Sequence, residues 1–167
     1  ARRALDSAWE HLVRPDEGLA LLFAPAFDEW AVDPGYIRGY PPGVRENGGQ
    51  YTHAAMWLAM AAVRAGQGGR AVDLLRLAGP VAHSRDTETA SHYRVEPYVA
   101  AGDVRRLPDG TARGGWTWYT GAAGWMYRAW LEYVLGIRVR GDQLSVLPVI
   151  PADWPGFGVR LRRGSAL

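Results

Sequence analysis

The 167-residue sequence contains no cysteine, which rules out a disulfide framework, a thiolate zinc site and a thiol nucleophile, and fits a reducing compartment. Lysine is missing too. All nineteen basic residues are arginine, a bias that reflects genome base composition rather than mechanism. With a net charge of +2 and the arginines scattered along the chain, there is no basic stripe of the kind nucleic-acid binding requires. Long apolar runs are absent as well. None approaches the roughly 18 residues of a membrane span, and Ala1-Arg2-Arg3-Ala4-Leu5-Asp6 lacks a signal-peptide core, so this chain is expected to hold no span of its own.

What is present is the material of a real core: 48% of the residues are apolar, with eight Trp and eight Tyr. Leu5, Trp9, Leu12 and Val13 fall at helical spacing until Pro15 and Gly18 interrupt them. Residues 24–50 are rich in Pro and Gly without a period, a loop long enough to suggest function. Thr52 to Val63 reads as a helix apolar all round, ended by Gly66, Gly68 and Gly69. A second helix, Arg70 to Leu77, stops at Gly79-Pro80, so the two form a helical hairpin. Residues 81–118 read as mostly loop, with a short helix near Glu96 to Val104. Thr120 can cap a helix running to Leu135 with Gly136 beyond its end. The period then changes to two: Ile137, Val139, Leu144 and Val146 flank Gly141-Asp142, a hairpin signal, and Val159 with Leu161 suggests a third strand. The fold class is therefore mainly α, helical hairpins followed by a small antiparallel β tail, divided at 1–136 and 137–167.

Two loops carry the candidate chemistry. His53 lies just inside a helix start, where free N–H groups and the helix dipole favour an anion; judged alone, a histidine satisfied against a neighbouring carbonyl is the better reading, and the loop before it raises the functional one. Thr120-Gly121 repeats that logic with an N-cap hydroxyl and a residue without Cβ; a plain helix cap explains Thr120 equally well. Trp116, Trp118, Tyr119 and Trp125 are rings able to stack on sugar faces, although core packing is the better reading of Trp125. Glu46 and Glu96 are the carboxylates in the most suggestive settings, and positioning ranks above catalysis for both. His83, His92 and Asp86 are too irregularly spaced for a metal site, so none is expected.

Three ordered motifs then combine: Tyr40 to His53, containing Arg45-Glu46-Asn47-Gly48-Gly49-Gln50; Tyr93-Arg94-Val95-Glu96-Pro97-Tyr98-Val99; and Gly114-Gly115-Trp116-Thr117-Trp118-Tyr119-Thr120-Gly121. Together with the tail Leu147 to Phe157 they resemble glycoside hydrolase family 94, the cellobiose and chitobiose phosphorylases, and most nearly the phosphorylase-like C-terminal domain of cyclic β-1,2-glucan synthases. The resemblance implies an (α/α)6 barrel followed by a β-layer, of which this chain would be the C-terminal part. It implies an inverting phosphorolysis in which inorganic phosphate is a co-substrate and no cofactor is needed. His53, Thr120 and Gly121 match the family's phosphate-holding positions. Arg45 stands where cellobiose-type members carry a sugar-contacting Lys. Glu46, Glu96, Trp116, Trp118 and Tyr119 would line the β-glucan.

The family's general acid, an aspartate, lies upstream of the Glu-Asn-Gly-Gly loop and is not matched here, so no catalytic residue is expected in this chain. Its partners would be a β-glucan oligosaccharide, phosphate and the remainder of a parent polypeptide. The expected location is cytoplasmic, in a bacterial parent that can be anchored at the inner membrane. Two alternatives stay open: an inverting hydrolase on the same barrel, with Glu96 positioning water, and a non-catalytic carbohydrate-binding module.

Overall fold

The computed structural model describes residues 1–28, 33–118 and 120–162. Helix α1 (Arg2–Leu12) ends where Val13 turns extended and opens β1 (Val13–Arg14), which pairs antiparallel with β2 (Leu19–Ala20) through Val13↔Ala20. Strand β3 (Gln50–Tyr51) runs without a break into α2 (Thr52–Arg64), and α3 (Gly68–Leu77) folds back against it. The reversal is a Schellman closure. Gly66 takes the left-handed φ of 75°, its N–H donates to the Val63 carbonyl, and the Gln67 N–H donates to that of Ala62. Met56, Ala59, Val63, Val72, Leu74 and Leu75 interlock between the two helices and form the main core with Ala129, Tyr133 and Val134.

After α3 come α4 (Thr87–Tyr93), β4 (Asp103–Arg106) and β5 (Ala112–Gly114), and β4 is the middle strand of the sheet β3-β4-β5. Helix α5 (Ala122–Arg128) widens into a π-helical stretch, Ala129–Val134, and Gly136, with φ of 67°, closes it. A two-residue turn at Gly141-Asp142 then joins β6 (Ile137–Arg140) to β7 (Gln143–Val146). A second, smaller core of Leu19, Leu21, Tyr93, Ala101 and Val104 lies beneath the sheet.

Several expectations are corrected here. Segment 81–118 is mostly loop, as expected, but the helix expected near Glu96 to Val104 does not form. That stretch is an irregular connection followed by β4, because Val104 and its neighbours gain partners on both sides, from β3 and β5. The helix in this region is α4, capped by Asp86, whose carboxylate accepts the Thr89 N–H at 2.8 Å. Helix α3 begins at Gly68, two residues before the expected Arg70. Helix α2 is not enclosed on every side: Trp57 is 53% exposed. Val159 and Leu161 form no strand, and instead line an open groove with Ile137, Leu144 and Val146. Among the described residues no helix is long and apolar enough to cross a membrane.

Candidate functional site

Asn47 ties down the loop that precedes β3 from three directions. Asn47, 1% exposed, accepts the Phe27 N–H at 2.7 Å and donates from its amide to the carbonyls of Phe27 (2.8 Å) and Tyr40 (2.7 Å). Gln50 performs a similar task one turn later, accepting the Ala20 N–H at 2.9 Å and donating to the Thr52 hydroxyl at 3.2 Å. The backbone at Gly49 lies against that of Arg45, with a Cβ there only 2.8 Å from the Arg45 nitrogen. The loop is therefore rigid, and it presents Arg45, in a left-handed conformation with φ of 49°, and Glu46 beside the start of α2.

A cavity of about 350 Å³ opens at this point, within the size range of small-ligand sites. Its lining includes Arg45, Glu46, His53, Asp103, Thr120 and Gly121, with Tyr51 and Trp116 at its walls. Residues far apart in sequence meet here because Gly102, the residue before β4, joins them: its carbonyl accepts the Thr52 N–H at 3.0 Å, and its N–H donates to the Trp116 carbonyl at 2.6 Å. His53 sits in an aromatic box. Tyr51 lies parallel to it at 5.9 Å, Trp57 meets it edge-on at 4.9 Å, and Trp125 is tilted against it at 5.2 Å. The guanidinium of Arg45 lies 3.4 Å from the centre of the Trp116 ring, a stacked cation–π contact.

The Thr120 hydroxyl accepts the Ala122 N–H at 3.2 Å, capping α5 from one position further out than expected. Gly121 has φ of −74°, which any residue can adopt, and a methyl added there would sit 3.6 Å from His53 Cε1 and Nδ1. Neither backbone strain nor a protein clash demands glycine; the room it leaves belongs to the cavity. His53 Nε2, Glu46 Oε2 and Asp103 Oδ2 are all sealed from water and have no hydrogen-bond partner among the described residues. A buried polar atom without a partner is costly, so three such atoms at one cavity mark a place completed by a polar ligand. That ligand must bring acceptors for a guanidinium, an imidazole and a hydroxyl, and donors for two carboxylates. An oxyanion beside a polyhydroxyl compound meets both needs.

Of the expected site residues, His53, Thr120, Gly121, Arg45, Glu46 and Trp116 come together in the cavity. Glu96 and Trp118 lie apart from its lining. They hold each other on the exposed surface, the Trp118 indole N–H donating to Glu96 Oε1 at 3.0 Å, and this bond, with a smaller backbone contribution, holds the Glu96 carboxyl below its usual range. Tyr119 lies outside the described residues. Asp103 was not anticipated, because nothing local in the sequence marks it. His83 and His92 line a separate polar groove with Asp86, and no cluster of metal-binding side chains exists among the described residues.

The profile of the glycosyl hydrolase 94 superfamily catalytic domain matches residues 1–136, most of the chain. The chain belongs to this family. It is 49% identical over 160 residues to the cyclic β-(1,2)-glucan synthase NdvB of Rhizobium meliloti (strain 1021), covering 96% of this chain and 6% of that protein. It is 33% identical over 159 residues to the N,N'-diacetylchitobiose phosphorylase of Vibrio furnissii, covering 94% of this chain and 19% of that protein. With the solabiose phosphorylase of Paenibacillus borealis the identity is 32% over 138 residues, 80% of this chain and 17% of the relative. The chain thus spans less than a fifth of the length of each of these relatives, which include phosphorylases and a glucan synthase.

Proposed function

We propose that this chain is the phosphate-holding C-terminal part of a family 94 catalytic domain that performs inverting phosphorolysis of a β-linked glucan, with β-1,2 linkages the first to test. The observation that carries this reading is the meeting of His53, Thr120 and Gly121 at one cavity with Arg45 and Glu46. A phosphate nucleophile needs converging donors and no base, since it is already anionic. In the reaction, a phosphate oxygen bonds to the anomeric carbon from the face opposite the leaving group. The glycosidic C–O bond breaks and its electron pair stays on the leaving oxygen, which takes a proton from a carboxylic acid elsewhere in the parent polypeptide. The products are an α-sugar 1-phosphate and a shortened glucan. By this reading the chain alone is inactive.

The same reading assigns residues 1–136 to the closing helices of an (α/α)6 barrel and 137–167 to the start of a β-layer. An apolar groove of about 740 Å³ beside α1, α2 and α5, lined by Leu5, Trp57, Leu58, Met60 and Trp125, supports a further helix of the parent lying there. Hydrolysis with Glu96 as the water-positioning base is disfavoured, because that carboxylate is committed to Trp118 away from the cavity. The test is product analysis with the full-length polypeptide: sugar 1-phosphate that appears only when phosphate is added supports the reading, and free sugar formed equally well without phosphate overturns it.

A further inference from the structure

Asp103 is the cavity side chain to which the phosphorylase reading gives no task. It is 4% exposed; its Oδ1 accepts the Trp116 N–H at 3.0 Å, and its Oδ2 is left without a partner among the described residues. Strand register explains why this carboxylate meets the cavity. Gln50 pairs with Val104 and Tyr51 with Asp103. Gln50 and Val104 are wholly buried on the core side, so the alternation of a strand turns Tyr51 and Asp103 to the other face, where both line the cavity. The preceding residue fixes the depth: a Cβ on Gly102 would lie 2.5 Å from the Thr120 methyl, so Asp103 follows directly on the contact between Gly102 and Thr120. Gly115 leaves the space the carboxylate occupies, since a Cβ there would overlap it.

A carboxylate oxygen closed off from water and lacking a donor, as Oδ2 is, is unfavourable unless a ligand supplies one. A fully deprotonated oxyanion brings only acceptors and would set oxygen against oxygen. Phosphate near neutral pH keeps at least one P–OH group. We propose that Asp103 is a specificity-determining residue: its free Oδ2 accepts a hydrogen bond from the hydroxyl of a protonated phosphate, so the site admits tetrahedral oxyanions that carry a hydroxyl and rejects sulfate. This inference rests on the phosphorylase reading above. It uses repulsion as much as attraction to discriminate, which is how selective sites exclude isosteres.

The experiment compares the full-length polypeptide with its Asp103→Asn variant. The amide oxygen can still accept the Trp116 N–H, while the NH₂ group replaces the free acceptor with a donor. Phosphorolysis is measured with phosphate and glucan varied separately and with sulfate as a competing anion. In the variant the KM for phosphate is expected to rise and sulfate inhibition to strengthen, each by about tenfold, the scale of one hydrogen bond to a charged group, with the glucan KM unchanged. An unchanged preference for phosphate over sulfate overturns the proposal. So does a raised glucan KM with that preference intact, which would give the carboxylate to a sugar hydroxyl. Should the variant not fold, the unaltered protein still decides: phosphate and arsenate must raise its Tm while sulfate at equal ionic strength does not, and equal protection by sulfate overturns the proposal. Loss of the phosphorylase reading itself shows differently, as glucan breakdown by the unaltered protein that ignores phosphate.

Discussion

The His53 imidazole and the Cα of Gly121 face each other across a gap that a methyl would just fill, 3.6 Å from Cε1 and Nδ1. Because Gly121 is in ordinary helical geometry, Gly121→Ala should fold normally and still obstruct the site. The KM for phosphate of the full-length polypeptide is expected to rise by about ten- to a hundredfold, the effect of misplacing a reactant by about an ångström, while Tm changes little. Unchanged phosphate kinetics would remove Gly121 from the proposed phosphate site.

Asn47 has a structural part to play and should behave accordingly. Replacing it with Ala leaves the Phe27 N–H and the carbonyls of Phe27 and Tyr40 without their partner, at a cost of about 3 kcal/mol or more in unfolding free energy. Urea denaturation measures this loss. A cost below about 1 kcal/mol would show that water replaces the amide and that the loop does not depend on it.

The contrast between these residues indicates what a single sequence can disclose. Helix α2, the Gly66 reversal, the Gly136 closure and the Gly141-Asp142 turn are local in cause, set by apolar period and left-handed glycines, and they stand where they are expected. Helix α4 escapes notice because it is seven residues long and buries only Tyr93, too little to impose a period. Strand β4 escapes for a mixed reason: its partner β3 lies some fifty residues earlier, a long-range pairing that overrides local preference, whereas β5 closes a local hairpin whose Pro108-Asp109-Gly110 turn is a sequence signal left unread. Asp103 is the extreme case, since its orientation is set by pairing with Tyr51, fifty-two residues earlier. The Glu-Asn-Gly-Gly loop was legible as a unit, whereas the split between Asn47, which fixes the loop, and Glu46, which faces the cavity, required coordinates.

His83 supplies a pH dependence whose sign can be worked out. Burial lowers its pKa from 6.5 to about 4, against the opposing effect of a hydrogen bond to the Leu77 carbonyl, and its ring stacks on Tyr93 at 4.3 Å. In the unfolded chain the same group takes up a proton near pH 6.5, so between pH 6.5 and 4 the unfolded state binds more protons. This contribution is fully present above that window and is lost as the pH falls through it, by roughly 3 kcal/mol in all. Urea midpoints measured between pH 4 and 7 should show the slope, and His83→Gln should flatten it. A variant whose slope matches that of the unaltered protein would place the proton uptake at another group.

Glu96 separates the two enzymatic readings of the site. Its Oε1 accepts the indole N–H of Trp118 at 3.0 Å, and Trp118, 70% exposed, is held at a left-handed φ of 68°. An amide oxygen can accept the same bond, so Glu96→Gln should preserve the pair, whereas Glu96→Ala releases the indole. In a phosphorylase whose nucleophile is held by His53 and Thr120, the Gln variant keeps kcat within about threefold, since it removes no group that touches the reacting atoms. The Ala variant raises the glucan KM if the Trp118 face carries sugar, an effect of about tenfold for one stacked ring contact. A hydrolase that uses this carboxylate to activate water would lose about a hundredfold or more of its kcat with either substitution, because an amide cannot take the proton. Steady-state kinetics of the two variants in the full-length polypeptide distinguishes these patterns: equal collapse of both overturns the phosphorylase reading, and a Gln variant close to unaltered activity supports it.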